Sequence, residues 1–323
     1  MTTVSDAKEA AVATERTARA LDVTVLMGGP SAEREVSLMS GSAVADALVR
    51  RGHHVTRADI GPNDHTALDR EGLDVVFIAL HGEFGESGEV QQLCEQRGLR
   101  YTGSPPRASE LAMDKAATKQ IVKRAGIATP DWMILEEFHT PRQIAAWLPE
   151  LGVPVVVKPV DGGSSVDVVI ARTEAQRDEA VEELLDKYGR LMLERFAAGR
   201  ELTVSILGDE ALPLLEICPA GEFYDYQAKY ADDAGTEYTF DHGLGGEQAD
   251  AIRRAALAAH RALGCRDMSR ADFLLDEQAE AWLLEINTIT GFTSHSLLPM
   301  AAARAGIDFD ELTDRLIAMA MAR

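Results

Sequence analysis

The chain has 323 residues, of which 46% are hydrophobic and 26% are charged, and its formal net charge at pH 7 is −21. This length exceeds that of one typical core, so two or three domains are expected, and the composition is that of an ordinary soluble globular protein. The strong negative charge argues against a nucleic-acid partner, because phosphate backbones are bound by basic faces.

Residues 1–21 are interpreted as an N-terminal extension that frays. They are rich in alanine and carry scattered charges, without the apolar core of a signal peptide. No run in the rest of the chain is long enough to span a membrane. The three cysteines, Cys94, Cys218 and Cys265, fit neither a disulfide framework nor a zinc spacing, which is typical of a reducing cytoplasm.

The next part of the chain alternates strand and helix patterns. An apolar run at 23–27 ends in a Gly-Gly-Pro turn, and a helix is predicted from about Ser31, an N-cap candidate, to Arg51. A second apolar strand at 74–80 leads into His81, which is interpreted either as a loop hydrogen-bonding residue or as a ligand. Such alternation predicts a parallel sheet with a crevice at the carboxyl ends of its strands. The turn does not match the dinucleotide pattern GxGxxG, so a nicotinamide enzyme has little support.

The middle of the chain has the pattern of an α+β module. Helices are predicted at 112–125 and 175–187, and strands at 153–158, 166–171, 191–196, 201–207 and 212–217. The turn between the first two strands contains Gly162, Gly163, Ser164 and Ser165. Its amides and hydroxyls are suited to bind an anion beside Lys158, or they form an ordinary hairpin turn beside an exposed lysine. No P-loop pattern occurs.

A hairpin pattern between residues 269 and 287 is the most informative feature of the chain. Side chains alternate faces along a strand, so Arg270 and Asp272 share one face of the first strand, and Glu285 and Asn287 share one face of the second. If the faces coincide, the hard oxygen donors suit Mg²⁺ or Mn²⁺, and Mg²⁺ usually accompanies the phosphates of a nucleotide. The alternative is an edge hairpin whose charges face water.

A long loop at 219–246 separates the middle of the chain from this hairpin. It contains Tyr224, Tyr226, Lys229 and Tyr230, which are interpreted as a substrate cover or as packing residues. Helices are predicted at 248–263, 296–305 and 310–321.

Nine short segments in chain order carry a further signal. They are GGPSAEREVS at 28–37, ALHG at 79–82, MDK at 113–115, VKP at 157–159, GSSV at 163–166, FYDYQAKY at 223–230, RAD at 270–272, EINT at 285–288 and GFTSHSL at 291–297. With these segments the chain, from about Asp22 onward, closely resembles the D-alanine–D-alanine ligases of the ATP-grasp superfamily.

The resemblance implies a fold and a reaction. The fold is α/β, with α+β character in the ATP-binding part: an N-terminal parallel-sheet, Rossmann-like domain at 22–103 precedes a two-lobed ATP-grasp fold. Its central lobe is expected at 104–197 and its C-terminal lobe at 198–323. The reaction joins two D-alanines through an acylphosphate, with ATP as co-substrate and two Mg²⁺ or Mn²⁺ ions, in the synthesis of peptidoglycan precursors in the cytoplasm. A homodimer is also implied.

Motif matching implies a role for individual residues. The metal ligands are Asp272, Glu285 and Asn287. The ATP-binding residues are Lys115, Lys158, Ser165, Glu194, Glu201 and Lys229. The substrate-binding residues are Glu35, Val36, His81, Arg270, Gly291, Ser296 and Leu297. The catalytic residues are Glu35, Ser164 and Tyr230, which form a triad that closes the loops, and Arg270 and Gly291, which stabilise the oxyanion.

Two positions depart from the family pattern. Asp167 stands where the phosphate loop normally has glycine, so a carboxylate is expected to repel the triphosphate and the backbone loses a residue suited to positive φ. Thr290 replaces the proline that usually restrains the loop before Gly291. These departures keep open a degenerate ATP-binding protein with little turnover. A ligase that forms D-alanyl-D-lactate or D-alanyl-D-serine is a second alternative, against which the context of Tyr230 argues.

Overall fold

The structure, a computed structural model, describes residues 19–163, 166–221, 235–293 and 295–323. In these ranges the strands form three sheets, and helices cover them. The α/β class predicted from the sequence is confirmed. No helix in the described ranges is long and apolar enough to cross a lipid bilayer.

The first sheet is parallel and is built from the N-terminal part of the chain. Its strands are β1 (Asp22–Met27), β2 (His54–Asp59) and β3 (Val75–Ile78), in the order β2-β1-β3. Helix α1 (Arg34–Arg50) crosses from β1 to β2, and its N-cap is Glu33, two residues after the predicted N-cap Ser31. Three further helices follow β3 and lead out of this layer: α2 (Glu83–Glu86), α3 (Glu89–Gln96) and α4 (Pro106–Met113).

The second sheet is antiparallel and has the strand order β4-β7-β5-β6. Helix α5 (Lys115–Arg124) precedes this sheet. The strands are β4 (Trp132–Glu136), β5 (Val155–Pro159), β6 (Val169–Ala171) and β7 (Arg190–Arg195), with α6 (Pro141–Leu151) and α7 (Glu174–Tyr188) between them. The pairing of β5 with β6 confirms the predicted hairpin around the glycine-rich turn.

The third sheet has the strand order β11-β10-β8-β12-β13, with β9 added beside β8. Its strands are β8 (Arg200–Leu207), β9 (Glu210–Ala211), β10 (Leu215–Cys218), β11 (Glu237–Thr239), β12 (Met268–Leu275) and β13 (Ala281–Asn287). Helix α8 (Gly246–Leu263) packs on this sheet, and α9 (Leu297–Arg304) and α10 (Phe309–Met321) end the chain.

The predicted metal hairpin is therefore β12 and β13. Strand β12 pairs with β8 on one side and with β13 on the other. Of the two hairpin strands, β13 is therefore the one at an edge of the sheet. The inward face of the hairpin is apolar: Ala271, Phe273 and Leu283 are buried together under α8. Burial of a large apolar side chain such as Phe273 or Leu283 stabilises the fold by about 1.5–3 kcal/mol. The interpretation of the segment as a solvated edge hairpin is wrong for β12.

The C-terminal helices return to the first sheet. Leu298 of α9 and Leu312 and Leu316 of α10 share one buried cluster with Val25 and Phe77 of the parallel sheet. The N-terminal layer is consequently held against the part of the chain that carries the β12–β13 hairpin, and Glu86, which contacts His81, lies beside that hairpin.

Candidate active site

A cavity of about 430 Å³ lies between the second and third sheets. Its apolar walls come from both sheets, because alternate side chains of each strand face the gap. These wall residues include Val156, Ile170, Phe196, Leu274 and Leu284. A cleft of this size with apolar walls and a few polar groups is typical of a small-molecule site.

An acidic cluster closes one end of the cavity, where β12 pairs with β13. Asp272 lies opposite Glu285 in the antiparallel register, and Arg270 lies opposite Asn287. Asn287 Nδ2 is 3.2 Å from Asp272 Oδ2 and 3.4 Å from Glu285 Oε1. The predicted coincidence of the two strand faces is thus present.

Besides Asn287, two residues donate hydrogen bonds to the Asp272 carboxylate. Arg270 donates from Nε to Oδ1 at 2.9 Å and from its terminal nitrogen to Oδ2 at 2.8 Å. Thr203 Oγ1 donates to Oδ1 at 2.7 Å. These hydrogen bonds fix the orientation of the partly buried carboxylate.

The chemistry of this donor set fits a hard divalent cation. Two carboxylates and an amide oxygen, which faces the carboxylates once the Asn287 amide is rotated, are the oxygen ligands that Mg²⁺ prefers. Among the residues that the structure describes, no group of three or more His, Cys, Asp or Glu could hold a metal ion. An ion at Asp272 and Glu285 would therefore need further oxygens, such as those of phosphates.

Lysines face the same end of the cavity. Lys115, the first residue of α5, donates to the carbonyl oxygen of Gly162, and its Nζ is 3.6 Å from Glu285 Oε2. Lys158 on β5 donates to Glu194 Oε1 at 2.9 Å. Both lysines line the cavity, as do Glu194 and Glu201. The described ATP-binding candidates are thus brought together.

A second, smaller cavity connects the metal hairpin to the N-terminal layer. Lys115, Glu285 and Asn287 line it together with Glu86. Glu86 Oε1 is 3.4 Å from Nδ1 of His81, and among the described residues Nε2 of the buried His81 has no hydrogen-bond partner. A buried ring nitrogen of this kind favours a ligand that supplies its partner, so the interpretation of His81 as a ligand is favoured over a purely structural one.

The loop before α9 is closely packed. A Cβ on Gly291 would lie 2.5 Å from Ser296 Oγ, so a larger residue there would displace the Ser296 side chain. Ser296 Oγ accepts from the Thr293 amide at 2.9 Å, and Ser296 is the N-cap of α9, which begins at Leu297 as predicted. The Phe292 amide donates to Ser40 Oγ of α1 at 3.1 Å.

The loop around Thr290 is held in place without the proline that the family usually has at this position. It is 2% exposed, and its Oγ1 lies 4.0 Å from Met268 Sδ. The burial of Thr290 and the hydrogen bond from the Phe292 amide to Ser40 of α1 restrain the backbone around Gly291.

The remaining predicted residues are less close to the cavities. Glu35 is exposed and Val36 is half-buried in the first turn of α1. The described lining of the two cavities contains neither of them. Ser164, Ser165, Lys229 and Tyr230 lie outside the described residues.

Asp167 does not take the position expected from the sequence. Its Oδ2 accepts from Lys187 Nζ at 2.5 Å and from the hydroxyl of Tyr188, both at the end of α7. These hydrogen bonds lower the pKa of the Asp167 carboxyl. Its neighbours Val166 and Val168 line the cavity, whereas its carboxylate is neutralised on α7. The expectation that this carboxylate repels the triphosphate is therefore not met. The expected positive φ is present, because the φ of Asp167 is 55°.

Replacing Asp167 with glycine is expected to leave nucleotide affinity nearly unchanged. Glycine favours the left-handed backbone, while the ion pair with Lys187 is lost, and these effects oppose each other. The KM for ATP should change by less than about twofold and should not respond to salt, because exposed pairs are weak and screened. A salt-sensitive gain in ATP affinity would instead support repulsion, and Lys187→Met, which breaks the same pair, is the matched control.

The sequence analysis missed two features of the site. Lys119 on α5 was not singled out, although Glu194 lies between it and Lys158. The apolar walls were also missed, although their alternation along β5, β6 and β12 was a usable signal.

Comparisons with known proteins agree with this geometry. The model of the D-ala D-ala ligase C-terminus matches residues 121–318, and that of the D-ala D-ala ligase N-terminus matches residues 61–104. A D-alanine–D-alanine ligase of Gloeobacter violaceus is 44% identical over 296 residues, which cover 91% of this chain and 98% of the relative.

Solved structures give the same result. The Bacillus anthracis D-alanine–D-alanine ligase complexed with ATP has a TM-score of 0.82 and 31% identity, with 94% of this chain and 98% of that chain covered. The VanG D-Ala:D-Ser ligase of Enterococcus faecalis has a TM-score of 0.83 and 26% identity, covering 94% and 100%. This chain belongs to the D-alanine–D-alanine ligase family.

Proposed function

We propose that the chain joins two D-alanines into D-alanyl-D-alanine, with conversion of ATP to ADP and phosphate, for the synthesis of peptidoglycan precursors. One observation carries the proposal: in a chain of this family, Asp272, Glu285, Asn287 and Lys115 converge at the end of a cavity between two sheets. Carboxylates beside lysines suit a nucleotide whose phosphates arrive with divalent cations.

The proposed reaction has two steps. A carboxylate oxygen of the first D-alanine attacks the γ-phosphorus of ATP, the bond to the β-phosphate oxygen breaks, and an acylphosphate and ADP result. The amine of the second D-alanine then attacks the acyl carbon, loses a proton, and the phosphate leaves. Closure of the site protects the acylphosphate from water.

Residues at the end of the cavity are proposed to hold ATP. Asp272, Glu285 and Asn287 would bind two Mg²⁺ or Mn²⁺ ions, which would neutralise phosphate charge and orient the transferred group. Lys115 and Lys158 contact the phosphates. Glu194 contributes mainly its backbone to adenine recognition, since both of its carboxylate oxygens lie against lysines, and Glu201 lies at the ribose. Ser165 and Lys229 are proposed from motif matching alone.

The amino-acid substrates are proposed to bind between the metal hairpin and the N-terminal layer. His81 Nε2 lies near the carboxylate of the first D-alanine, and Glu35 binds its ammonium with Val36 beside it. The Ser296 and Leu297 segment at the start of α9 receives the second carboxylate, because a helix N-terminus favours an anion. Arg270 and the Gly291 amide face the oxyanion of the tetrahedral intermediate. Glu35, Ser164 and Tyr230 form the closing triad.

Domain organisation and assembly are part of the proposal. The three sheets lie within residues 22–103, 104–197 and 198–323, which supports these as domain ranges. Family resemblance supports a homodimer in the cytoplasm, with neither a nucleic acid nor a membrane as partner. Sedimentation of the purified protein tests the dimer.

Phosphate release with ATP, Mg²⁺ and D-alanine tests the function. We expect release that needs D-alanine and a dipeptide product in equal amount, with L-alanine as the matched inactive substrate. Absence of release would support the alternative of a degenerate ATP-binding protein. The position of Asp167 removes one of the two sequence departures on which that alternative is based.

A ligase for D-serine or D-lactate is the second candidate. The similarity to the VanG D-Ala:D-Ser ligase supports testing it. The same assay with D-alanine plus D-serine or D-lactate, followed by mass analysis of the products, distinguishes the candidates. We expect D-alanyl-D-alanine as the main product.

A further inference from the structure

Lys119 is a wholly buried lysine behind the wall of the nucleotide cavity. It lies in the second turn of α5 and has a relative exposure of 0%. Its Nζ donates to Thr129 Oγ1 at 2.5 Å and to the Pro130 carbonyl oxygen at 3.1 Å, and lies 2.6 Å from Glu194 Oε2. The buried ammonium therefore has two hydrogen-bond acceptors and, at ion-pair distance, a carboxylate, which a buried charge requires.

Glu194 joins this buried lysine to the cavity. Its second oxygen, Oε1, accepts from Lys158 Nζ at 2.9 Å, and both Lys158 and Glu194 line the cavity. Burial raises the pKa of the Glu194 carboxyl, but the two ammonium groups lower it more, so its pKa lies below the ordinary value. With Glu194 ionised and both lysines protonated, the cluster carries one net positive charge.

That charge matters because the cavity lining itself is balanced. Among the lining residues that the structure describes, four are basic and four are acidic. The basic ones are Lys115, Lys158, Arg172 and Arg195, and the acidic ones are Glu194, Glu201, Asp272 and Glu285. Without a charge behind the wall, Lys158 and Glu194 would form a neutral pair and Lys158 would offer little to an anion.

We propose that Lys119 is a positioning residue for nucleotide binding, which neutralises Glu194 from behind and thereby leaves the charge of Lys158 available to the phosphates. The proposal rests on the proposed function, since it assigns this cavity to ATP. Lys119 acts through Glu194 and Lys158.

Charged groups on the elements packed against Lys119 bear on its protonation. Glu194 on β7 and Lys158 on β5 face it, and Asp131 in the segment before β4 also acts on it. Lys123 lies one turn later on α5, and both lysines contact the ring of Trp132. Nζ of Lys119 lies 5.3 Å and Nζ of Lys123 lies 5.4 Å from the ring centroid.

Burial lowers the pKa of Lys119 to about 8, with Glu194 opposing the shift. Nucleotide phosphates favour the protonated form, so the pKa rises in the complex. Affinity for ADP should consequently be greatest below about pH 8, fall as the pH rises through the pKa of the free protein, and level off above the pKa of the complex.

Binding of Mg²⁺-ADP, measured by calorimetry on the full chain, tests the proposal together with the KM values. Lys119→Met should raise the Kd for ADP and the KM for ATP about tenfold by removing one charge from a poorly screened site. The KM for D-alanine should change little, and the fall in affinity above pH 8 should disappear. Lys123→Met removes a lysine beside the same ring and is the matched control, with an expected change below about twofold.

The double variant Lys119→Met with Glu194→Gln separates charge from packing. It restores one net positive charge, on Lys158, so ADP affinity should return to within about threefold of the original value. A double variant as weak as Lys119→Met would overturn the proposal, as would an unchanged Kd in Lys119→Met. If Lys119→Met does not fold, Glu194→Gln alone is the second test: it removes the charge that pairs with Lys158 while Lys119 stays, so an ADP affinity that does not rise overturns the proposal. Failure of the proposed function is separate, because it shows as absent D-alanine-dependent phosphate release while ADP binding can still be measured.

Discussion

Glu285→Gln is expected to abolish turnover while the fold is kept. Glu285 lies opposite Asp272 in the sheet, and its side chain faces Asn287 and Lys115. Glutamine has nearly the same shape, so the packing of β13 is preserved, but the negative charge of one proposed metal ligand is lost. We expect phosphate release to fall by roughly a hundredfold or more, because metal stabilisation of a transferring phosphoryl group is worth several kcal/mol.

The matched control is Glu277→Gln, the same change at an exposed position in the turn of the same hairpin. Melting temperatures of both variants should lie near that of the original protein. Phosphate release is measured across a Mg²⁺ titration. A rate near normal at saturating Mg²⁺ would remove Glu285 from the metal site.

Which side chains share a face of the β12–β13 hairpin could be predicted because strand alternation depends only on neighbouring residues. Strand alternation decides which side chains share a face, and apolar residues such as Phe273 and Leu283 decide which face is buried. The register that brings Asp272 opposite Glu285 was not local information of this kind: Phe273 pairs with Leu283, and a β-bulge then shifts the register by one residue before Asp272, which a short turn alone does not predict. The helix from Ser296 onward was predictable for a similar reason, since an N-cap serine precedes an apolar helix.

Other features depend on contacts that are distant in the sequence. Lys119 lies in a helix with little apolar character, and its burial follows from β7 and the segment before β4 packing over it. The polar strand β2 was missed because its side chains are mostly exposed and it is held by backbone pairing with β1. Asp167 was expected to face the nucleotide, but Lys187, twenty residues later, holds its carboxylate on α7. No local pattern contains that partner.

Arg270→Ala is expected to impair the chemical step more than ATP binding. The guanidinium makes three charge-assisted hydrogen bonds to Asp272, at 2.9, 3.2 and 2.8 Å, and is thereby held rigidly beside the proposed metal ligands. Donors fixed in this way stabilise charge that develops on an oxyanion, and loss of one costs about 10²–10³ in turnover. We expect kcat to fall on that scale and the KM for ATP to change by less than about threefold.

The loss of Arg270 also leaves the Asp272 carboxylate without its partly buried partner. Its charge then acts more fully on a bound cation, so the Mg²⁺ concentration for half-maximal rate should decrease even as kcat falls. Arg270→Lys is the matched variant: it keeps the positive charge but loses the planar fork, so we expect only a small recovery of kcat. Single-turnover measurements separate chemistry from nucleotide binding. If ATP binding collapses while the single-turnover rate persists, Arg270 is a nucleotide clamp, and the oxyanion would depend on the Gly291 amide alone.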